Sequence, residues 1–207
     1  MKKFLIGMIM ILIISAGIGW YIYDIEASVP IKNAEAVEVK NEIKPDSVEH
    51  NEKSIKKPNL AEQYKMDSSF ILIRKSEFNL YTVDKNGEIL ATYSCALGKN
   101  AGQKEKEGDM KTPDGILRID EIIDASSWTH DFKDGKGEIK GAYGPWFISL
   151  DTNNLSGGRW GGIGIHGTHA PESIGTRVSE GCIRLTNNDI VKLKQFAKVG
   201  MQVVIEE

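Results

Sequence analysis

The stretch Ile163 to Leu185, IGIHGTHAPESIGTRVSEGCIRL, governs the reading of the whole chain. An apolar, glycine-flanked run ends on His166, and Cys182 follows sixteen residues later within Ser179-Glu180-Gly181-Cys182-Ile183-Arg184. A thiol attacks a carbonyl carbon only as its thiolate, and an imidazole within hydrogen-bond reach takes that proton and later returns it to a leaving group. His166 and Cys182 have the chemistry of such a dyad. Gly181 permits a sharp bend just before the cysteine, which would expose the sulfur and turn neighbouring amide N–H groups toward a developing oxyanion.

These residues resemble the signature of the L,D-transpeptidases with a YkuD-type catalytic domain: His-Gly-Thr, a loop of about a dozen residues, then Ser-x-Gly-Cys-Ile-Arg. Upstream, Gly98-Lys99, Thr112-Pro113-Asp114-Gly115 and Gly144-Pro145-Trp146 are similar to other recurrent segments of that family in the same order, so the resemblance covers Ser68 to Glu207. It implies peptidoglycan L,D-transpeptidation, with stem peptides as partners (a donor tetrapeptide and an amine acceptor) and no cofactor or metal. Cys182 would form a thioester and His166 would act as base, its second ring nitrogen fixed by the carbonyl of Gly167. The amides of Gly181, Cys182 and Glu180 would hold the oxyanion. Water as acceptor gives an L,D-carboxypeptidase, and another amine gives anchoring of a protein to the wall. Many members carry a histidine where this chain has Glu180, so the tuning of Cys182 is expected to differ.

Other side chains near the dyad have defined expectations. Arg184 suits bidentate pairing with a substrate carboxylate, with an internal pair to Glu180 as the alternative, and Arg177 is a second candidate. Ser179 is expected to fix the loop through its hydroxyl and to border the substrate site. A carboxylate facing the sulfur disfavours thiolate, so Glu180 is expected to be held by Arg184 or Arg177. His169 with His166 and Cys182 is a poor match to zinc spacing, and no metal is expected. Cys95, in a strand-like run, reads as a buried thiol, with a redox partner to Cys182 as the alternative. His130 reads as a surface residue, whereas Trp128 and Trp146 are candidates for a groove wall.

The chain of 207 residues, 41% apolar with a net charge of −3, has the composition of one globular domain with accessories and carries no basic footprint for nucleic acid. Lys2 and Lys3 precede an uncharged run, Phe4 to Tyr23, long enough as a helix to span about 30 Å of bilayer core. Residues 1–23 are therefore expected to anchor the chain in the cytoplasmic membrane with the remainder outside. A cleaved signal would have a shorter apolar region ending in small residues. Residues 24–67, with alternating Lys and Glu and with Pro30, Pro45 and Pro58, read as a disordered linker.

Residues 68–207 read as the catalytic domain. Phe70 to Arg74, Phe78 to Val83 and Glu88 to Leu97 are strand-like, the last two joined by an Asn86-Gly87 turn. Asp124 to Gly141 reads as a loop. Asn187 to Val199 carries Ile190, Leu193, Phe196 and Ala197 at helical spacing, capped by Thr186 or Asn187. The expected fold is mainly β, a YkuD-like sandwich or barrel-like sheet with one late helix. A wall-binding module that has lost catalysis is a further reading, against which the intact dyad argues. Papain-like and sortase enzymes differ in the order or spacing of Cys, His and Arg.

Overall fold

The computed structural model describes residues 59–207. The expected anchor at 1–23 and the linker up to residue 58 lie outside the described residues. Among the described residues, no helix is long and apolar enough to cross a membrane.

The elements in chain order are α1 (Leu60–Tyr64), β1 (Phe70–Arg74), β2 (Asn79–Val83), β3 (Ile89–Ser94), β4 (Leu97–Gly98), β5 (Gly115–Asp124), β6 (Thr129–Asp131), β7 (Glu138–Lys140), β8 (Trp146–Asp151), α2 (Asn153–Ser156), β9 (Gly164–His166), β10 (Arg177–Ser179), β11 (Ile183–Arg184), α3 (Asn187–Phe196) and β12 (Gln202–Glu206). Eight strands form one mixed sheet in the order β11-β9-β8-β5-β12-β1-β2-β3, and β10-β4 and β6-β7 form two small ladders. The protein is thus mainly β with few helices. The sheet curls as a half-barrel instead of facing a second large sheet. Just past β3, Ala96 exchanges two backbone hydrogen bonds with Arg184 of β11, at 2.8 and 2.9 Å, which brings the two ends of the sheet together.

Central β1 is apolar from Phe70 to Ile73 because both its faces are covered. Ile71 and Ile73 join the main core, while Phe70 and Leu72 join a second cluster with Met66, Tyr81, Val83 and Val204. That second cluster is covered by Leu60 and Tyr64 of α1. Residues 59–67 were expected to belong to the linker; they form this capped helix instead, because two apolar side chains one turn apart find a sheet face to cover. In β5, the register shifts between Ile119 and Glu121, so the inward positions run Leu117, Ile119 and then Ile122.

The late helix starts as expected, with the Thr186 hydroxyl accepting from Asp189 N, and buries Ile190 and Leu193. It ends at Phe196, before the expected Val199. At the β2–β3 turn only Gly87 takes a positive φ, 80°, while the Asp84 carboxylate accepts from the amides of Asn86 and Glu88. The region 124–141 is not wholly loop: it contains the β6–β7 hairpin.

Candidate active site

Strand alternation assembles the site. Ile165 of β9 pairs with Ile148 of β8 and with Ile183 of β11, and all three are fully buried in the main core. Side chains next to them in sequence must point to the opposite face. His166 therefore stands beside Phe147 on one side and Arg184 on the other, as their register pairs. The Phe147 and His166 rings stack with centroids 5.6 Å apart. Cys182, two residues before Arg184, shares that face and donates its S–H to Gly162 O at 3.2 Å. Cys182, His166 and Arg184 all line one cavity of about 650 Å³.

His166 is 2% exposed, and its Nδ1 lies 2.6 Å from the Gly167 carbonyl, to which it donates. That bond fixes the tautomer with Nε2 free to accept a proton. The Gly167 backbone is itself held by a close approach: a Cβ on Gly144 would fall 2.7 Å from Gly167 Cα, so the Gly144-Pro145 segment packs directly against it. Asn187 at the start of α3 accepts from Thr168 N at 2.9 Å and completes the support.

The cysteine loop is tied on both sides. Ser179 Oγ donates to Cys182 O and accepts from Gly181 N at 3.1 Å. Thr112 Oγ1 donates to Gly181 O and accepts from Gly98 N, each at 2.9 Å. The recurrent segments around Gly98, Thr112 and Gly181 are therefore one hydrogen-bonded unit. Gly181 has φ 135°, and a Cβ there would lie 2.9 Å from Lys111 O, so only glycine fits. Its amide was expected to face an oxyanion, but it is engaged by Ser179. Among the described residues, the amides of Glu180 and Cys182 donate to no other group.

Burial sets the charge states. It pushes the His166 imidazole down to about 3, the Arg184 guanidinium adding to the effect and the Gly167 carbonyl opposing it. It pushes the Cys182 thiol up to about 11; a backbone bond with Gly164 and the Arg184 charge oppose the rise, and Glu180 adds to it. The resting pair is thus neutral thiol and neutral imidazole. Arg184 is 6% exposed, its Nε has no hydrogen-bond partner among the described residues, and its guanidinium lies 5.0 Å from the Phe132 ring.

Several expectations change. Glu180 is not paired with an arginine: its Oε2 lies 3.3 Å from His130 Nε2. Arg177 lies outside the cavity lining, its guanidinium 3.3 Å from Glu207 and over Phe78. His130 is not a free surface residue but a cavity wall. Trp128 lines the cavity as expected, while Trp146 packs on the core under Lys194. His169 packs against Phe132, and among the described residues no group of three or more His, Cys, Asp or Glu could hold a metal ion. Cys95 is fully buried and unbridged, its thiol pushed up to about 12 by burial.

Lys104, Tyr143 and Trp160 were not anticipated. Lys104 is 6% exposed, pairs with Asp109 at 2.8 Å and lies over Trp160 in the cavity wall. Burial alone would raise the Asp109 carboxyl, yet Lys104 and the amides of Glu105, Lys106 and Lys111 hold it well below the usual range. No local pattern signals these residues, since the loops that carry them meet only in the folded chain.

Residues 68–205 match the family model of the YkuD L,D-transpeptidase catalytic domain. The chain belongs to that family. Two Bacillus subtilis proteins, each named "Putative L,D-transpeptidase", are similar to it. YkuD is 30% identical over 124 residues, 60% of this chain and 58% of that protein. YqjB is 29% identical over 138 residues, 67% of this chain and 71% of that protein. A solved structure of the helical cell shape determining protein Pgp2 of Campylobacter jejuni, in its K307A form, shares the fold with TM-score 0.51 and 27% identity, covering 68% of this chain and 47% of that one.

Proposed function

We propose that this chain is a peptidoglycan L,D-transpeptidase in which Cys182 is the nucleophile and His166 the general base. The observation that carries the reading is the shared sheet face. Cys182 and His166 line one cavity, with the His166 tautomer fixed by Gly167 so that Nε2 is free. Because the resting pair is neutral, the thiol proton moves to Nε2 as the sulfur attacks. The Sγ–C bond forms, the C–N bond to the terminal D-residue breaks, and the proton goes to the leaving amine. An acceptor amine then attacks the thioester and loses its proton to His166, and the S–C bond breaks to regenerate the thiol. The amides of Glu180 and Cys182 would stabilise the oxyanion in both halves.

Arg184 would hold a substrate carboxylate, since a buried guanidinium with a free Nε at the cavity wall gains from a bidentate partner. Ser179 serves by fixing the loop. Within the same proposal the domain works outside the cytoplasmic membrane, carried on the N-terminal segment; the apolar run Phe4 to Tyr23 behind two lysines supports this.

The test is intact-mass analysis of the full chain in mild detergent with a disaccharide-tetrapeptide donor, alone and with an acceptor stem, beside Cys182→Ala. A Cys182-dependent cross-linked product is expected, with an acyl adduct on the protein. A tripeptide without cross-link assigns the chain to the carboxypeptidase reaction. Unchanged substrate without adduct refutes the enzyme reading.

A further inference from the structure

Glu180 stands two residues before Cys182, and the structure places His130 against it. His130 belongs to β6, remote in sequence from the cysteine loop, yet its Nε2 lies 3.3 Å from Glu180 Oε2, a close polar approach without hydrogen-bond geometry, and its Nδ1 lies 3.0 Å from the Tyr143 hydroxyl. Aromatic contacts fix the ring. Phe132 meets it edge-on with centroids 4.4 Å apart, and Tyr143 meets it at 5.6 Å. Tyr143 in turn packs 4.9 Å from the His166 ring. Among the described residues His130 carries the one basic nitrogen within ion-pairing distance of the Glu180 carboxylate, since Arg177 is engaged with Glu207 and Arg184 lies over Phe132.

We propose that His130 is a positioning residue for Cys182: fixed by Tyr143 on the hairpin side of the cavity, it draws the Glu180 carboxylate toward the hairpin and so weakens the effect of that charge on the sulfur. The proposal rests on the reading of Cys182 as nucleophile. A carboxylate two residues before a nucleophilic cysteine works against thiolate unless something neutralises or turns it. In this chain the Glu180 charge does oppose ionisation of Cys182. His130 acts on it through a bridge from the β6–β7 hairpin to the cysteine loop, so the same contact sets the loop's charge and ties the hairpin across the cavity.

The other charged or titratable groups facing this pair are Cys182 on the cysteine loop, Arg184 on β11, His166 on β9 and Tyr143 after the hairpin, with Lys133 on the hairpin, His169 behind Phe132, and Lys104 and Glu107 on the loop across the cavity. None of these offers Glu180 a cation within salt-bridge distance among the described residues.

The experiment measures the rate of Cys182 alkylation by iodoacetamide against pH. It uses the full chain in mild detergent as parent, His130→Gln, Glu180→Gln and the double variant, with Cys182→Ala as blank for Cys95. His130→Gln is expected to slow alkylation near neutral pH by about three- to tenfold, an upward move of the apparent thiol pKa of up to about one unit. Glu180→Gln is expected to match or exceed the parent, and the double variant to follow Glu180→Gln. Non-additivity of this kind marks action through Glu180. An unchanged profile for His130→Gln, or an equal slowing in both backgrounds, overturns the proposal.

Should His130→Gln fail to fold, Tyr143→Phe decides. It removes the hydroxyl at Nδ1 while keeping the ring, so it is expected to move the profile in the same direction, and an unchanged profile overturns the proposal. Alkylation needs no peptide. A chain that follows this cycle but leaves stem peptides untouched keeps the role of His130 and loses the transpeptidase reading; one that cross-links stems without the cycle does the reverse.

Discussion

Acidification from pH 7 to pH 4 should destabilise this protein in large part through His166, and the size follows from its burial. The ring is 2% exposed and stays neutral in the folded chain down to about pH 3, whereas in the unfolded chain it takes a proton near its ordinary value of 6.5. As pH falls between those two values the unfolded state binds a proton that the folded state refuses, so stability declines with falling pH across that window. The slope approaches about 1.4 kcal/mol per pH unit, and between pH 7 and pH 4 the loss from this group sums to about 3 kcal/mol. That is a large part of the total for a domain whose net stability is on the order of 5 to 15 kcal/mol. Glutamine cannot be protonated, so His166→Gln removes this dependence while every carboxylate keeps its own. The assay is urea unfolding of parent and His166→Gln at pH 7, 6, 5 and 4. The expected result is two curves that converge or cross as pH falls. Parallel curves would refute the buried neutral imidazole and, with it, the neutral resting dyad.

Three further outcomes follow from the same contacts. Thr112→Val keeps the shape but leaves Gly98 N and Gly181 O without the hydroxyl that joins them, and should cost about 2 to 4 kcal/mol of unfolding free energy and lower thioester formation. Gly164→Ala would place a Cβ 2.4 Å from Phe147 Cζ, so the ring stacked on His166 must shift; acylation rate should fall at least tenfold while the far-ultraviolet spectrum stays. Asp109→Asn removes the charge that pairs with buried Lys104. It should lower the thermal midpoint at pH 7 and remove part of the parent's acid destabilisation: a carboxyl held low in the folded chain contributes stability above its unfolded value near 3.8 and loses it as pH falls below that.

How far the sequence could be read depended on whether a feature is local. The β1–β2–β3 run was legible because strand residues and the Asn86-Gly87 turn follow one another in the chain, and α3 because Thr186, Ile190 and Leu193 are spaced by its own turns. That His166 and Cys182 would meet in one cavity was legible through their glycines and the ordered segments around them. His130, Tyr143, Lys104 and Trp160 were not, since each enters the cavity from a separate segment and no spacing rule links 104, 130, 143 and 160. The partner of Glu180 was misjudged for the same reason: the arginines nearest in sequence point elsewhere, and the histidine that meets it comes from the hairpin. The helix at 60–64 was hidden by the charged, proline-containing segment before it, because its reason to form is the sheet face it covers.

The site and the closure of the sheet are one structural event. Arg184 closes the curl through its backbone, bonded both ways to Ala96, while its side chain enters the cavity from the same residue. On the other side of the cysteine, β10 runs beside β4, and Ser179 O accepts from Lys99 N at 2.8 Å. The loop carrying Cys182 is therefore clamped at both ends by residues 96–99, the segment that follows β3, and from beneath by Thr112. A conformation fixed by contacts so distant in sequence forms only when the sheet has curled fully. The sulfur and the free amides of Glu180 and Cys182 should consequently lose their geometry together with the Ala96–Arg184 bridge. Hydrogen exchange checks this: the amides of Ala96 and Arg184 are expected to share one protection level with Leu185, whose N–H bonds to His166 O at 2.8 Å, and exchange of Arg184 well ahead of Leu185 would separate the closure from the site.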